Sequence, residues 1–233
     1  MQVDQVVILA GGLGTRLGQL TKNTPKSLIK VNNKPFIEWQ INYFIDQGIK
    51  SFLLCLGHYS DQIIEFIKNK FQNTDIIFSI DGDKMLGTGG ALIKAYDNLS
   101  DYFFVVYGDS YLQLVLEDIR LSYELEKKMI TMAIYHNRGM YDKSNIRLID
   151  NKLLYCEDSN QSCKYIDYGI SIISKKILNK YNSSEFINLS TIYQKESANN
   201  NIGYYVAKNR FFEIGSKTGI LELDRHLKKN NNI

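Results

Sequence analysis

Apolar positions along this chain form short unbroken runs separated by longer, spaced sets. Val6-Val7-Ile8-Leu9, Phe52-Leu53-Leu54-Cys55-Leu56, Ile76-Ile77-Phe78 and Phe103-Phe104-Val105-Val106-Tyr107 are uninterrupted. Runs of this length predict strands covered on both faces. Between them, Phe36, Ile37, Ile41, Phe44 and Ile45 follow Pro35 and stop before Gly48, and Ile64, Ile67 and Phe71, widened by Ile63 and Phe66, recur from about Asp61. Both spacings predict one-sided helices. This alternation of strand and helix predicts an α/β protein with a doubly wound, mixed but mostly parallel sheet, helices on both faces and right-handed crossovers.

Residues 27–31 predict a further short strand, and residues 114–127 a long amphipathic helix with Leu114, Ile119 and Leu125 inward. From Met129 the strands become shorter and more polar. Residues 130–135 alternate, 144–148 and 153–156 face each other across Asp150-Asn151, and 165–173 return to the core. Short helices over 175–181 and 189–195, strands over 202–206 and 211–214, and a closing helix marked by Leu221, Leu223 and Leu227 finish the chain. The layout predicts one domain over 1–233, with a first lobe to about residue 110 and a smaller lobe from about 111 folded onto the same sheet.

The punctuation after the first strand changes the picture from fold to chemistry. Ala10-Gly11-Gly12-Leu13-Gly14-Thr15-Arg16-Leu17 is followed, nine residues after Arg16, by Pro25-Lys26. The glycines let the backbone turn and bring its N–H groups close to a ligand. Thr15, Arg16 and Lys26 add donors suited to phosphate oxygens. Thr15-Arg16 stands where a P-loop needs Lys-Ser/Thr, and Pro25 with the polar run 19–24 predicts an irregular loop instead of the helix that a dinucleotide fingerprint opens. A plain tight connection accounts for the glycines alone, not for the whole spacing. The segment GGLGTRLGQLTKNTPKSL resembles the signature of the nucleotidyltransferases that activate sugar 1-phosphates, the NDP-sugar pyrophosphorylases. The resemblance implies a Rossmann-like nucleotidyltransferase fold and a smaller sugar-binding lobe. It also implies nucleotide binding by Ala10, Gly11, Gly12, Gly14, Thr15, Arg16 and Lys26, with Arg16 and Lys26 on the phosphates. The likeness spans the layout and leaves nothing over for the left-handed β-helix of some relatives, which implies the short, catalytic-domain-only form.

In-line transfer of a nucleotidyl group requires oriented partners and neutralised charge, with a divalent cation, most simply Mg2+, held on the phosphates by hard oxygens. Asp109, directly after an apolar strand, is the first candidate; capping of the following segment is the alternative. The family resemblance makes it a metal ligand and catalytic residue. Glu213, in Phe212-Glu213-Ile214-Gly215, stands where relatives usually carry the second metal-binding Asp; on alternation alone it faces water. Leu86-Gly87-Thr88-Gly89-Gly90 resembles the segment lining base and ribose, implicating Gly87 and Thr88, with a generic turn as the alternative. Asp81-Gly82-Asp83 contains no base-reading Gln, so the nucleobase stays unassigned. On the sugar side the family's Glu-Lys-Pro is replaced by Cys156-Glu157-Asp158-Ser159. Glu157 keeps its place in that segment, Lys164 is the substitute cation, and Gly169 aligns with the glycine approaching the sugar. Asp167 either accepts hydrogen bonds from sugar hydroxyls or is structural.

Charge and cysteine usage narrow the partners. The 28 basic and 25 acidic residues leave a net charge of +3, too balanced for a nucleic-acid or membrane partner. Cys55, Cys156 and Cys163 lack a C-x-x-C spacing and predict three free thiols in a reducing compartment. The first residues carry no signal-peptide pattern, which predicts a cytoplasmic protein. His58, His136 and His226 are scattered and predict no shared site. The expected reaction transfers a nucleoside monophosphate from an NTP to a hexose or heptose 1-phosphate, giving an NDP-sugar and pyrophosphate, for surface polysaccharide or glycoconjugate synthesis. Cytidylyl transfer to a non-sugar phosphate such as phosphocholine, and a catalytically silent nucleotide-binding subunit, are the competing readings. Self-association stays open.

Overall fold

A computed structural model describes residues 3–82, 84–141, 143–156, 163–182 and 185–230. β1 (Gln5–Leu9) runs into 3-10 turns over Thr15–Thr21 and Lys26–Leu28, then a ribbon of β2 (Lys30–Val31) and β3 (Lys34–Pro35), and helix α1 (Phe36–Asp46). β4 (Ser51–Leu56), α2 (Ser60–Lys70), β5 (Asp75–Ile80), α3 (Gly87–Lys94) and β6 (Tyr102–Tyr107) follow. The second half holds β7 (Ser110–Tyr111), α4 (Leu116–Glu126), β8 (Ile130–His136), β9 (Ile146–Ile149), β10 (Lys152–Tyr155) and β11 (Tyr165–Ser174). It closes with α5 (Leu189–Ala198), β12 (Ile202–Val206), β13 (Phe212–Glu213) and α6 (Lys217–Asn230).

Nine of the described strands form one sheet in the order β10-β9-β11-β6-β1-β4-β5, extended by β8, which pairs with β11 and β12, while β2-β3 and β7-β13 form separate ribbons. Its centre, β6-β1-β4-β5, is parallel. β11 runs antiparallel to β6, β8 and β9, and β12 parallel to β8. The unbroken apolar runs have a simple cause. Val6, Ile8, Phe52, Leu54, Phe104 and Val106 pack with α1, α2 and α4, while Val7, Leu9, Leu53, Cys55, Phe103 and Val105 pack with α3 and α5. Successive side chains point to opposite faces, so a strand between two helical layers needs apolar residues at every position. A third cluster joins Phe212, Ile214, Leu223 and Leu227 to Val31 and Phe36, and holds α6 against the first half.

Several expectations change. Leu125 is 86% exposed, because the inner stripe of α4 is Leu116, Ile119 and Tyr123 and Leu125 lies off that face. Leu221 and Ile45 also face solvent. Of residues 27–31 only Lys30–Val31 pairs, the preceding residues coiling into a 3-10 turn. The expected irregular loop is partly regular, since Thr15–Thr21 forms 3-10 turns broken at Gly18, where φ is 55° and ψ is −115°. Cys156 and Cys163 are joined in a disulfide, correcting the expectation of three free thiols; Cys55 is free and buried. Cys156 directly follows β10 and Cys163 lies two residues before β11. No helix among the described residues is long and apolar enough to cross a membrane.

Candidate active site

The four parallel central strands end side by side, and each delivers its next residues to one edge: the glycine loop after β1, Gly57 after β4, Asp81 after β5, and Gly108-Asp109 after β6. Ligands of open α/β sheets bind along this edge. A cavity of about 260 Å³ opens there, walled by Ala10, Gly11, Gly12, Gly87, Thr88 and Gly108, with Lys26, Asp81 and Asp109 as its charged residues. The turn that enters it is built around Gly14, whose φ of 63° is left-handed, and whose added Cβ would stand 2.9 Å from Thr21 Cγ2 and 3.2 Å from Lys26 Cβ. Thr21 Oγ1 donates to the Gly14 carbonyl at 3.0 Å and closes the turn.

At the β6 end, Lys26 Nζ and Asp109 Oδ2 form an ion pair at 2.5 Å, with side chains 15% and 26% exposed. The corner that carries Asp109 is fixed from three sides. Gly108 N–H donates to Leu9 O at 2.9 Å, Ile214 N–H donates to Asp109 O at 3.0 Å, and the buried Gln40 amide donates to Tyr107 O at 3.0 Å and Ser110 O at 2.9 Å. β7 and β13 pair so that Ser110 stands opposite Glu213, which brings the two predicted carboxylates onto one ribbon. Arg16 is exposed and does not line the cavity; its guanidinium lies with the Glu213 carboxylate against Gly215. Asp109, directly before β7, and Glu213, on β13, offer two hard oxygen donors. That set suits a magnesium ion that takes its remaining ligands from phosphates and water. Among the described residues no group of three or more His, Cys, Asp or Glu forms a cage.

Gly87, Thr88, Gly89 and Gly90 serve a second purpose that the sequence did not disclose. Gly89 and Gly90 N–H donate to Ile187 O at 2.9 and 3.0 Å, and Leu189 N–H donates to Thr88 Oγ1 at 2.8 Å, capping α5. The segment before α5 therefore docks on α3 and brings Phe186 and Asn188 to the cavity wall.

The residues expected on the sugar side stand on an irregularity in β11. Against β8, Asp167 pairs with Ile134 and Ser171 with Met132, so β11 carries two extra residues between them. Gly169 in this bulge has φ 91°, and a Cβ there would stand 2.8 Å from Ser110 Oγ. Gly169 N–H donates to Asp167 Oδ1 at 2.9 Å, and Tyr155 OH reaches Oδ2 at 3.5 Å. Asn145 accepts from the Asp167 N–H at 3.0 Å and donates to Tyr155 OH at 3.0 Å. Burial raises the Asp167 pKa to about 6 against the pull of the Gly169 N–H and the Tyr155 hydroxyl. Tyr107, whose own hydroxyl is raised well above its ordinary value by burial and by Asp167, links this network to the cavity. Lys164 is exposed, and its main chain bonds to Ile146 and Asn137. Glu157 lies outside the described residues. Asp81, Tyr107, Asn145 and Tyr155 were missed. Asp81 carries the same signal that singled out Asp109, a carboxylate directly after an apolar strand.

The Nucleotidyl transferase family model matches residues 5–140. The chain belongs to this family. The matched stretch holds the glycine loop, Lys26, Asp81, Gly87, Thr88 and Asp109, and stops before Asp167 and Glu213. Over 212 residues the transferase is 28% identical to the D-glycero-alpha-D-manno-heptose 1-phosphate guanylyltransferase of Campylobacter jejuni subsp. jejuni, covering 91% of this chain and 94% of that protein. It superposes on HddC from Yersinia pseudotuberculosis complexed with GMP-PN with a TM-score of 0.81 at 25% identity, covering 97% of this chain and all of that one. Choline-phosphate cytidylyltransferase of Streptococcus pneumoniae is 43% identical, over 67 residues and 29% of each protein.

Proposed function

We infer that this transferase moves a nucleoside monophosphate from an NTP to a sugar 1-phosphate and releases pyrophosphate, with GTP and a heptose 1-phosphate as the pair its relatives favour. The observation that carries the reading is the Lys26–Asp109 pair at the junction of two sites. On one side lies the glycine-walled cleft, and on the other the network of Asp167, Tyr155 and Asn145. The phosphocholine reading rests on a likeness over less than a third of the chain.

Main-chain N–H groups of the glycine loop receive the triphosphate, and Lys26 and Arg16 balance its charge. The acceptor phosphate oxygen attacks the α-phosphorus in line as pyrophosphate leaves. The chain supplies no nucleophile, and its contribution is orientation and electrostatic stabilisation of charge developing at the α-phosphate. Asp109 and Glu213 would hold Mg2+, which screens the phosphates so that the attacking oxygen can approach. Asp167 accepts from acceptor hydroxyls, and the bulge at Gly169 lets main chain approach the sugar.

The test is a pyrophosphate-release screen of GTP, CTP, UTP, ATP and dTTP against heptose 1-phosphate, several hexose 1-phosphates and phosphocholine, with and without Mg2+. Turnover with GTP and a heptose 1-phosphate is expected. Turnover confined to CTP and phosphocholine overturns the sugar reading, and equal turnover in metal-free buffer overturns the metal assignment.

A further inference from the structure

Asp167 serves the fold through a contact that needs no charge. Its Oδ1 accepts from the Gly169 N–H at 2.9 Å and closes the β11 bulge. A neutral amide oxygen would accept that bond as well. Among the described residues its Oδ2 has only the Tyr155 hydroxyl, at the long distance of 3.5 Å. The side chain is half-buried, so the carboxylate loses hydration without being closed off. Every Lys and Arg of the chain is among the described residues, and none forms an ion pair with Asp167.

The immediate surroundings are neutral. Burial, and then the Asp167 charge, raise the hydroxyls of Tyr107, Tyr155 and Tyr193 above their ordinary value, so all three phenols stay protonated. Asn145 donates to Tyr155 OH at 3.0 Å, which leaves that hydroxyl its own proton for Asp167 and one lone pair to spare. Gly169 abuts Ser110, the neighbour of Asp109, and Asp167 lies two residues farther along β11, at most about 7 Å of strand away. A group at Asp167 therefore stands within one sugar ring of a phosphate placed at Lys26 and Asp109.

A sugar hydroxyl brings one donor and no charge to this place, and the carboxylate stays uncompensated. A primary ammonium brings three donors and one positive charge. It pairs with Oδ2, donates to the spare lone pair of Tyr155 OH, and lies comfortably against neutral phenol rings. We propose that Asp167 and Tyr155 form a subsite for a primary ammonium group, so that the sugar 1-phosphate taken by this transferase carries a free amino group on its ring. The proposal rests on the sugar reading above and narrows it, replacing the hydroxyl that faces Asp167 with an amine.

The experiment compares acceptors that differ at one ring position. Glucose and mannose 1-phosphates, their 2-, 3- and 4-amino counterparts and the N-acetyl form of each amine are assayed for pyrophosphate release with GTP and with the other NTPs. Phosphoethanolamine and phosphocholine form the non-sugar arm. Wild type is expected to favour one amino sugar 1-phosphate over its hydroxyl parent by about 10- to 100-fold in kcat/KM, the range of a hydrogen bond to a charged group. Acetylation keeps the nitrogen, removes the charge and is expected to abolish the preference. Asp167→Asn is expected to equalise amine and parent, a ratio that a purely structural loss would not move. A hydroxyl parent or heptose 1-phosphate used as well as every amine overturns the subsite and leaves the sugar reading standing. Turnover confined to phosphoethanolamine or phosphocholine overturns both. Should melting curves show that Asp167→Asn fails to fold, wild type decides, and an amine preference that survives acetylation overturns the subsite.

Discussion

At the scale of single residues, charge decides what this site does. Lys26 and Asp109 lie within 2.5 Å of each other. The ammonium is therefore poised at the carboxylate on which the magnesium reading depends. Lys26→Ala is expected to lower kcat by about 10²–10³-fold, the usual loss when a stabilising donor is removed from a charged transition state. Circular dichroism should be unchanged, and wild-type turnover would rule the role out. Asp167 behaves differently because its pKa is raised from 3.8 to about 6 in the fold. The folded chain then holds this proton more tightly than the unfolded chain. The group favours folding below about pH 4, and that advantage is lost as pH rises through 6. Asp167→Asn should raise stability at pH 8 by about 1–2 kcal/mol and leave it unchanged at pH 4, as read by urea unfolding. The same variant should raise the KM for the acceptor, because a neutral amide is a weaker acceptor for sugar hydroxyls. A stabilised variant with an unaltered acceptor KM would make Asp167 purely structural.

At the scale of elements, two irregularities bring the halves of the site together. The bulge in β11 places Gly169 against Ser110, the neighbour of Asp109, so the Asp167 network and the Asp109 corner meet there. Gly169→Ala adds a Cβ at 2.8 Å from Ser110 Oγ on a backbone with φ 91°. It is expected to destabilise the fold by about 1–3 kcal/mol and to lower kcat/KM more than Ser110→Ala does. The second irregularity is the docking of the segment at Ile187 on Gly89 and Gly90, which makes part of the nucleotide wall from a distant stretch of chain. Glycines that looked like a ligand-facing turn are also the seat for Phe186 and Asn188.

At the scale of the whole molecule, one continuous sheet carries both sites, and a third apolar cluster presses α6 and β13 onto the first half. Ligand that joins the halves should therefore stabilise the molecule as a unit. GTP with Mg2+ at a hundredfold excess over Kd is expected to add about 2.7 kcal/mol, a rise in melting temperature of roughly 5–10 °C. The Mg2+-dependent part should vanish in Asp109→Ala and shrink in Glu213→Ala, with Glu213→Asp between the latter and wild type. A full Mg2+ shift in Glu213→Ala would remove Glu213 from the metal site.

The sequence by itself determined the doubly wound core, because a strand between two helical layers must be apolar on both faces, and that requirement is written locally in Val6-Val7-Ile8-Leu9 and Phe103-Phe104-Val105-Val106. It also marked candidates for the site, the glycine loop and Lys26 by residue types at a fixed short spacing and Asp109 as a carboxylate directly after an apolar strand. Leu125 was misread because an apolar residue near the end of a helix does not announce its face. Tertiary structure alone decided which distant residues meet. Glu213 stands opposite Ser110, and Tyr155 and Asn145 meet Asp167. Asp81 arrives at the far end of the cavity from Lys26 only because β5 lies three places from β6. Those juxtapositions follow from strand order and from a bulge in β11, which are set by packing across the whole sheet and leave no periodic signal in the chain.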